Sequence, residues 1–259
     1  MSVYFVVAVF GAVIGSFLNV CIYRMPRNLS VVFPPSKCTN CGAQIRAWDN
    51  IPIISYALLR GKCRNCKSGI SARYPLVEAL NACLYAAVLW RYGFTWNAAV
   101  YCLLVSTLVV ITFIDLDFQI IPDRITLPGI PLGIVSGSLL LPDPFLRSAP
   151  LGLQASLIGA GSGFLVYYLI AVLGEKVFRK EAMGGGDIKM MAMLGGFMGW
   201  KSIILTTFLG SLLGSVIGIF LIAVKGRKQG AQIPFGPFLA LGAVISLFFG
   251  QEILTWYLY

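Results

Sequence analysis

The sequence predicts an all-α polytopic membrane protein with about eight transmembrane helices and a small cytoplasmic zinc-binding loop domain between helices 1 and 2. Three observations lead there. Of 259 residues, 58% are hydrophobic and 12% charged, and mean hydropathy is +0.84; soluble domains carry about 25% charged residues. Apolar runs of spanning length recur along the chain. The basic residues gather on one side of the alternation those runs define.

The runs are 3–23, 76–92, 96–114, 125–141, 153–174, 188–200, 202–224 and 234–257. No basic residue precedes the first and no small-residue cleavage site follows it, so it is expected to be a retained span rather than a signal peptide. The sixth is short, and only "GWK" separates it from the seventh. With the amino terminus outside, segments 24–75, 115–124, 175–189 and 225–233 face inward and hold 17 of the 20 Lys and Arg residues. Arg91, Arg147 and Lys201 are left outside. The net charge of +10 then reflects positive-inside bias and anionic lipid. No basic-aromatic module accompanies it, and no nucleic-acid partner is expected. The domain division expected is 1–23, a first transmembrane helix; 24–75, a cytoplasmic domain; and 76–259, the remaining seven or so helices.

Residues 24–75 are the one sizeable polar segment. They contain "CTNC", Cys38 and Cys41, and "CRNC", Cys63 and Cys66, with 21 residues between the pairs. Two CxxC knuckles at this separation point to a four-thiolate zinc site. Two disulfides are the competing reading, which a reducing cytoplasmic face disfavours; a redox CxxC is another. A segment this polar holds no large core, and a metal substitutes for one. Four thiolates leave no open coordination position, so the zinc is expected to be structural. Cys21, Cys83 and Cys102 stand singly in spans, as small buried hydrophobes do.

The chain has no histidine. That removes Ser-His-Asp and Cys-His catalysis and HExxH zinc chemistry. Of ten acids, six fall in or beside two inner loops: Asp115, Asp117, Asp123, Glu175, Glu181 and Asp187. Asp115 lies deepest, at the end of the third run. Asp117 is roughly 200° further round the helix, so the two cannot both face one partner. Asp123 follows Pro122 and is placed to cap the fourth span. Asp187 sits at the same depth as Asp115. Two carboxylates brought close share a proton, which makes one a base and the other an acid, and a water between them can attack an amide. A structural or ion-conducting pair is the other reading of the same acids. Gly184, Gly185 and Gly186 before Asp187 permit close approach of an extended peptide and unusual dihedrals. Lys189 is positioned to steady the charge of Asp187.

Other polar and small residues in the spans have structural and functional readings side by side. Gly11 and Gly15 make a small-xxx-small packing face. Asn19 needs a partner, either across a helix interface or in a substrate or methyl-donor pocket. Glu78 opens the second span, where the helix dipole favours it; a substrate amine or basic leader is the alternative partner. Arg24 and Arg73 flank the polar domain as lipid anchors.

"GGGDIK" with an upstream "IDLDFQIIPD" resembles the GxGD aspartic proteases of membranes, and more closely the type IV prepilin peptidases. "GAVIGSFLNVCIYRMP", "PPSKCTNC", "NIPIISYALLRGKCRNC" and "ISARYPLVEAL" follow that family's order. The resemblance covers about residues 11–238. It implies eight spans in a bacterial inner membrane, zinc on Cys38, Cys41, Cys63 and Cys66, and catalytic Asp115 and Asp187 on the cytoplasmic side. It implies cleavage of the leader of prepilins or pseudopilins, then methylation of the new amino terminus with S-adenosylmethionine. No glycine-rich nucleotide fingerprint marks a site for that donor. Because the leader of such substrates is basic, the acids Asp115, Asp117, Asp123, Glu175, Glu181 and Glu78 are expected to form an acidic patch within the basic surround. A transporter or proton channel, and a non-catalytic assembly factor docking through the zinc loop, are the competing classes.

Overall fold

In lipid, backbone groups must be satisfied within the segment, and long apolar runs answer that requirement as helices. The computed structural model describes residues 2–146, 149–179, 183–225 and 234–258. Its helices are α1 (Ser2–Arg24), α2 (Ile54–Leu58), α3 (Arg73–Tyr92), α4 (Trp96–Phe118), α5 (Asp123–Leu139), α6 (Gly152–Phe178), α7 (Gly185–Lys225) and α8 (Gly236–Leu258). Among the described residues there is no strand, only isolated bridges. Arg147, Lys180, Glu181 and residues 226–233, which the sequence assigns to loops, lie outside the described residues.

Among the described residues five helices are long and apolar enough to cross a membrane: α1, α4, α6, α7 and α8. Of the other two long helices, α5 is 17 residues and α3 carries Arg73, Glu78 and Arg91. The chain forms two compact units, Met1–Val110 and Ile111–Tyr259.

In the first unit α1 packs on α3. The expected small-residue face is the seam: a Cβ on Gly15 would lie 2.7 Å from the Glu78 backbone, and one on Gly11 would lie 3.0 Å from Ala82 and Tyr85. Asn19 donates to the Tyr74 carbonyl (3.1 Å) and Asn81 to the Gly11 carbonyl (2.7 Å). Ser106 of α4 donates to Asn81 (2.9 Å). Asn19 therefore has the interhelical partner.

In the second unit α6 and the start of α7 run antiparallel. Gly159 lies against Gly195 and Gly163 against Met191, so closely that a Cβ at either glycine would strike the opposing backbone. The end of α7 runs antiparallel to α8, with Thr206 and Gly210 against Gly242, and Gly214 beside Phe235 and Phe238. Between the two halves Gly199 is non-helical at φ 75°, ψ 172°. Both ends of α7 lie at the same end of the unit: Gly186, near its start, touches Ile121, and so does Gly236, which follows its return. A straight helix of 41 residues would be about 60 Å long, twice the ~30 Å hydrocarbon layer. The chain instead reverses at Gly199, where the sequence separates its sixth and seventh runs. The positive φ there is open to glycine at no steric cost.

Two local expectations change. Asp123 does not cap α5: the N-cap is Pro122, no side-chain cap bond forms, and the carboxylate is paired elsewhere. Cys83 is exposed rather than buried, whereas Cys21 is buried.

Candidate functional site

Asp115, near the end of α4, is 5% exposed, and Asp187, third residue of α7, is 9% exposed. Asp117 is exposed, as its helical phase requires. Asp115 Oδ2 accepts the Gly236 amide at 2.9 Å. Only glycine fits there, because a Cβ would approach that oxygen to 2.6 Å. Beyond α4 the chain turns at Gln119 (φ 55°), which brings Ile121 back against Gly186 and Gly236 together. Ile121 thus joins the neighbourhoods of the two acids. The pair expected from the sequence is brought together.

Asp187 lies in the first turn of α7, where the helix dipole favours an anion. Its Oδ1 is buried and has no hydrogen-bond partner. A buried oxygen without a donor is costly unless something else binds it. Opposite it stands Tyr167, fully buried. The α6–α7 register, Gly159 with Gly195 and Gly163 with Met191, continues to Tyr167 with Asp187. The Tyr167 hydroxyl meets the Thr207 hydroxyl at 3.0 Å.

The three glycines divide their work differently from the expectation. None of Gly184, Gly185 and Gly186 has a positive φ. Gly186 is needed for packing, since a Cβ would lie 2.7 Å from Ile121. Gly184 accepts the Asp187 amide at 3.1 Å. Gly185 faces open space. Lys189 does not steady Asp187: two residues on, it points elsewhere and pairs with Asp123 through both carboxylate oxygens at 2.7 Å. That neutralises one acid of the expected patch, and Glu181 lies outside the described residues.

In the first unit Cys38, Cys41, Cys63 and Cys66 converge, with all four Sγ atoms within 4.8 Å of one another. A tetrahedral zinc with bonds of about 2.3 Å needs sulfurs about 3.8 Å apart, and Cys38 and Cys66 stand at 3.9 Å. The donor set fits the metal. The two knuckles repeat one geometry. Gly42 N–H donates to the Cys38 carbonyl and Lys67 N–H to the Cys63 carbonyl, each donor at positive φ. Asn40 donates to Cys66 Sγ and Asn65 to Cys41 Sγ, both at 3.7 Å. This exchange was legible only as the asparagine repeated in "CTNC" and "CRNC". Ser68, 3.0 Å away, pulls the Cys66 thiol down to about 6, toward the thiolate a metal requires. Asp49 clasps Arg64 of the second knuckle at 2.7 to 2.9 Å, and the guanidinium holds that carboxyl below its usual range.

Glu78 is buried in α3 and its Oε2 accepts the Ile53 amide at 2.7 Å. Arg24 holds the carbonyls of Ser30 and Pro34 at 2.9 and 2.7 Å, so it braces the loop as well as ending α1.

A helical multi-pass membrane protein, with a buried carboxylate pair in one unit and a four-cysteine cluster in the other, is the class these features define. Residues 9–92 match the Bacterial Peptidase A24 N-terminal domain, and residues 102–219 match the Type IV leader peptidase family. The chain belongs to the type IV leader peptidase family. It is 38% identical to a prepilin leader peptidase/N-methyltransferase of Pseudomonas aeruginosa, over 96% of this chain and 91% of that one. It is 37% identical to one of Aeromonas hydrophila, over 97% and 92%, and 31% identical to one of Legionella pneumophila, over 98% and 94%. No solved structure matches it.

Proposed function

We propose that the chain removes the leader peptide of type IV prepilins or pseudopilins and methylates the freed amino terminus, with Asp115 and Asp187 as the catalytic pair. The observation that carries the reading is the meeting of two buried carboxylates, one with an oxygen that nothing in the described chain satisfies. Family membership supplies the reaction class.

A water held between the pair gives a proton to the ionised carboxylate as its oxygen attacks the scissile carbonyl carbon. The protonated partner then gives its proton to the departing amide nitrogen as the C–N bond breaks. Asp115 is held in place by the Gly236 amide, and Asp187 Oδ1, buried and without a partner, is the atom that would bond the water. The open space at Gly185 is where an extended leader comes closest. Gly184 and Gly186 shape the turn, and Lys189 supports it through Asp123.

Eight crossings with the amino terminus outside is the topology that accompanies this reading. It is supported by the reversal of α7 at Gly199 and by the inward bias of Lys and Arg. Both carboxylates then face the cytoplasm of a bacterial inner membrane. The peptidase occupies 76–259, and 24–75 is the metal-binding domain. Cys38, Cys41, Cys63 and Cys66 would hold a zinc that stabilises that domain. The methyl donor would be S-adenosylmethionine, and no residue is assigned to it.

The test is Asp115→Asn and Asp187→Asn, each incubated with a prepilin and read by gel and mass. Loss of shortening in both is expected. Complete processing by either variant refutes the pair. Methylation of a pre-cut pilin is measured separately, because it does not depend on amide hydrolysis.

A further inference from the structure

The loop that carries the metal cluster also carries an apolar edge. Ile51, Ile53, Ile54 and Leu58 are 45, 39, 56 and 78% exposed, and Trp48 is 60% exposed. Ile54 and Leu58 are four apart on α2, hence on one face. In water this edge would be a liability.

Its position is fixed by a strained turn. Ile53 has φ 61°, ψ −49°, and the Ile54 amide bonds the Pro52 carbonyl at 2.5 Å. This is a γ-turn with positive φ, rare in general and costly for a β-branched residue. The turn is tied down by Glu78, which takes the Ile53 amide.

That tie sets a depth. The Glu78 backbone lies against Gly15, and α1 continues from Gly15 to Arg24. Nine residues of helix rise about 13 Å. The Glu78 side chain leans back toward the start of α3, as Cβ atoms on helices do, and covers part of that distance. The γ-turn therefore sits several ångströms farther into the layer spanned by α1 than Arg24 does.

Backbone at that depth must be satisfied internally, and most amides of the segment are. The amides of Ile51, Ile53, Ile54, Ser55, Ala57, Leu59, Arg60, Gly61 and Lys62 all donate to protein acceptors. Exposed Arg46, Arg60 and Lys62 flank the edge, where anionic headgroups would meet them.

We infer that residues 51–58 dip into the inner leaflet, with Ile51, Ile54 and Leu58 against acyl chains and Glu78 as the internal tether. The occupant of this apolar edge is the bilayer. The inference stands apart from the proposed chemistry, because it uses only the first unit.

The full-length protein is reconstituted in vesicles of phosphatidylethanolamine and phosphatidylglycerol with p-benzoylphenylalanine at Ile54 or Leu58. Val9 serves as the lipid-facing reference and Gln44, in the first knuckle, as the aqueous one. After irradiation, mass spectrometry should find lipid adducts at Ile54 and Leu58 within about threefold of Val9, and roughly tenfold above Gln44. Adducts to a second copy, to residues 111–259 or to added pilin in place of lipid would overturn the inference. So would yields no higher than at Gln44.

Discussion

The four-cysteine cluster and the carboxylate pair are built in opposite ways. The cluster is assembled from two short repeats, each of which makes its own turn through local bonds such as Gly42 to Cys38 and Lys67 to Cys63. The carboxylate pair is assembled by packing between distant helices, with Gly236 holding Asp115 and Ile121 touching both neighbourhoods. Local geometry survives changes elsewhere in the chain. A pair made by packing is lost when any contributing helix shifts, and this difference can be tested.

The largest effect is expected where helix backbones touch. Gly159→Leu drives a side chain into the Gly195 backbone, and the second unit should fail to form. Immunoblots of the membrane fraction should show at least about a tenfold drop in protein. Asp115→Asn should leave folding intact and lower leader cleavage by about a thousandfold or more, with zinc content and thermal midpoint unchanged. Gly236→Val should mimic it, because its Cβ meets the same carboxylate. If Gly236→Val keeps activity, the amide bond to Asp115 is not what holds the pair.

Loss of the proposed zinc tests the other region. Chelation, or Cys63→Ser, should open residues 24–75 to limited proteolysis while 111–259 stays resistant. Cuts spreading into 111–259 would mean the two regions are not separable. A smaller loss is expected for Asn81→Leu, which leaves the Gly11 carbonyl without its donor and the Ser106 hydroxyl with Tyr85 alone. Stability should fall by about 1–3 kcal/mol, measured as a lower denaturation midpoint in detergent. Lys189→Ala should be the mildest. Its ion pair with Asp123 is part-exposed and worth about 0–1 kcal/mol, so cleavage should change by less than about fivefold. A larger loss would show that Lys189 acts on the pair after all.

Much of this was legible in the sequence because the signals are local. The expected runs fall on seven long helices, the sixth and seventh sharing α7, and five of those helices are long and apolar enough to cross a membrane, since hydrophobic runs are properties of neighbouring residues. The four cysteines announced themselves by spacing. The roles of Lys189, Asp123 and Glu78 were not legible. Lys189 chose Asp123, 66 positions away, over Asp187, two away, because side chains two apart on a helix diverge. Glu78 had a plausible dipole reading, yet its partner is the amide of a strained turn 25 positions upstream.

By itself the sequence determined the class of protein, the long helices and the cysteine cluster, through composition, period and spacing, and it nominated two acids to pair. Only the tertiary structure decided that α7 folds back at Gly199, that Gly236 and Ile121 bring Asp115 to Asp187, and that Glu78 tethers the loop. The physical reason is reach. Helix formation and knuckle turns depend on bonds a few residues long, whereas a buried carboxylate is satisfied by whichever distant backbone the packing of glycine-lined helices brings within about 3 Å.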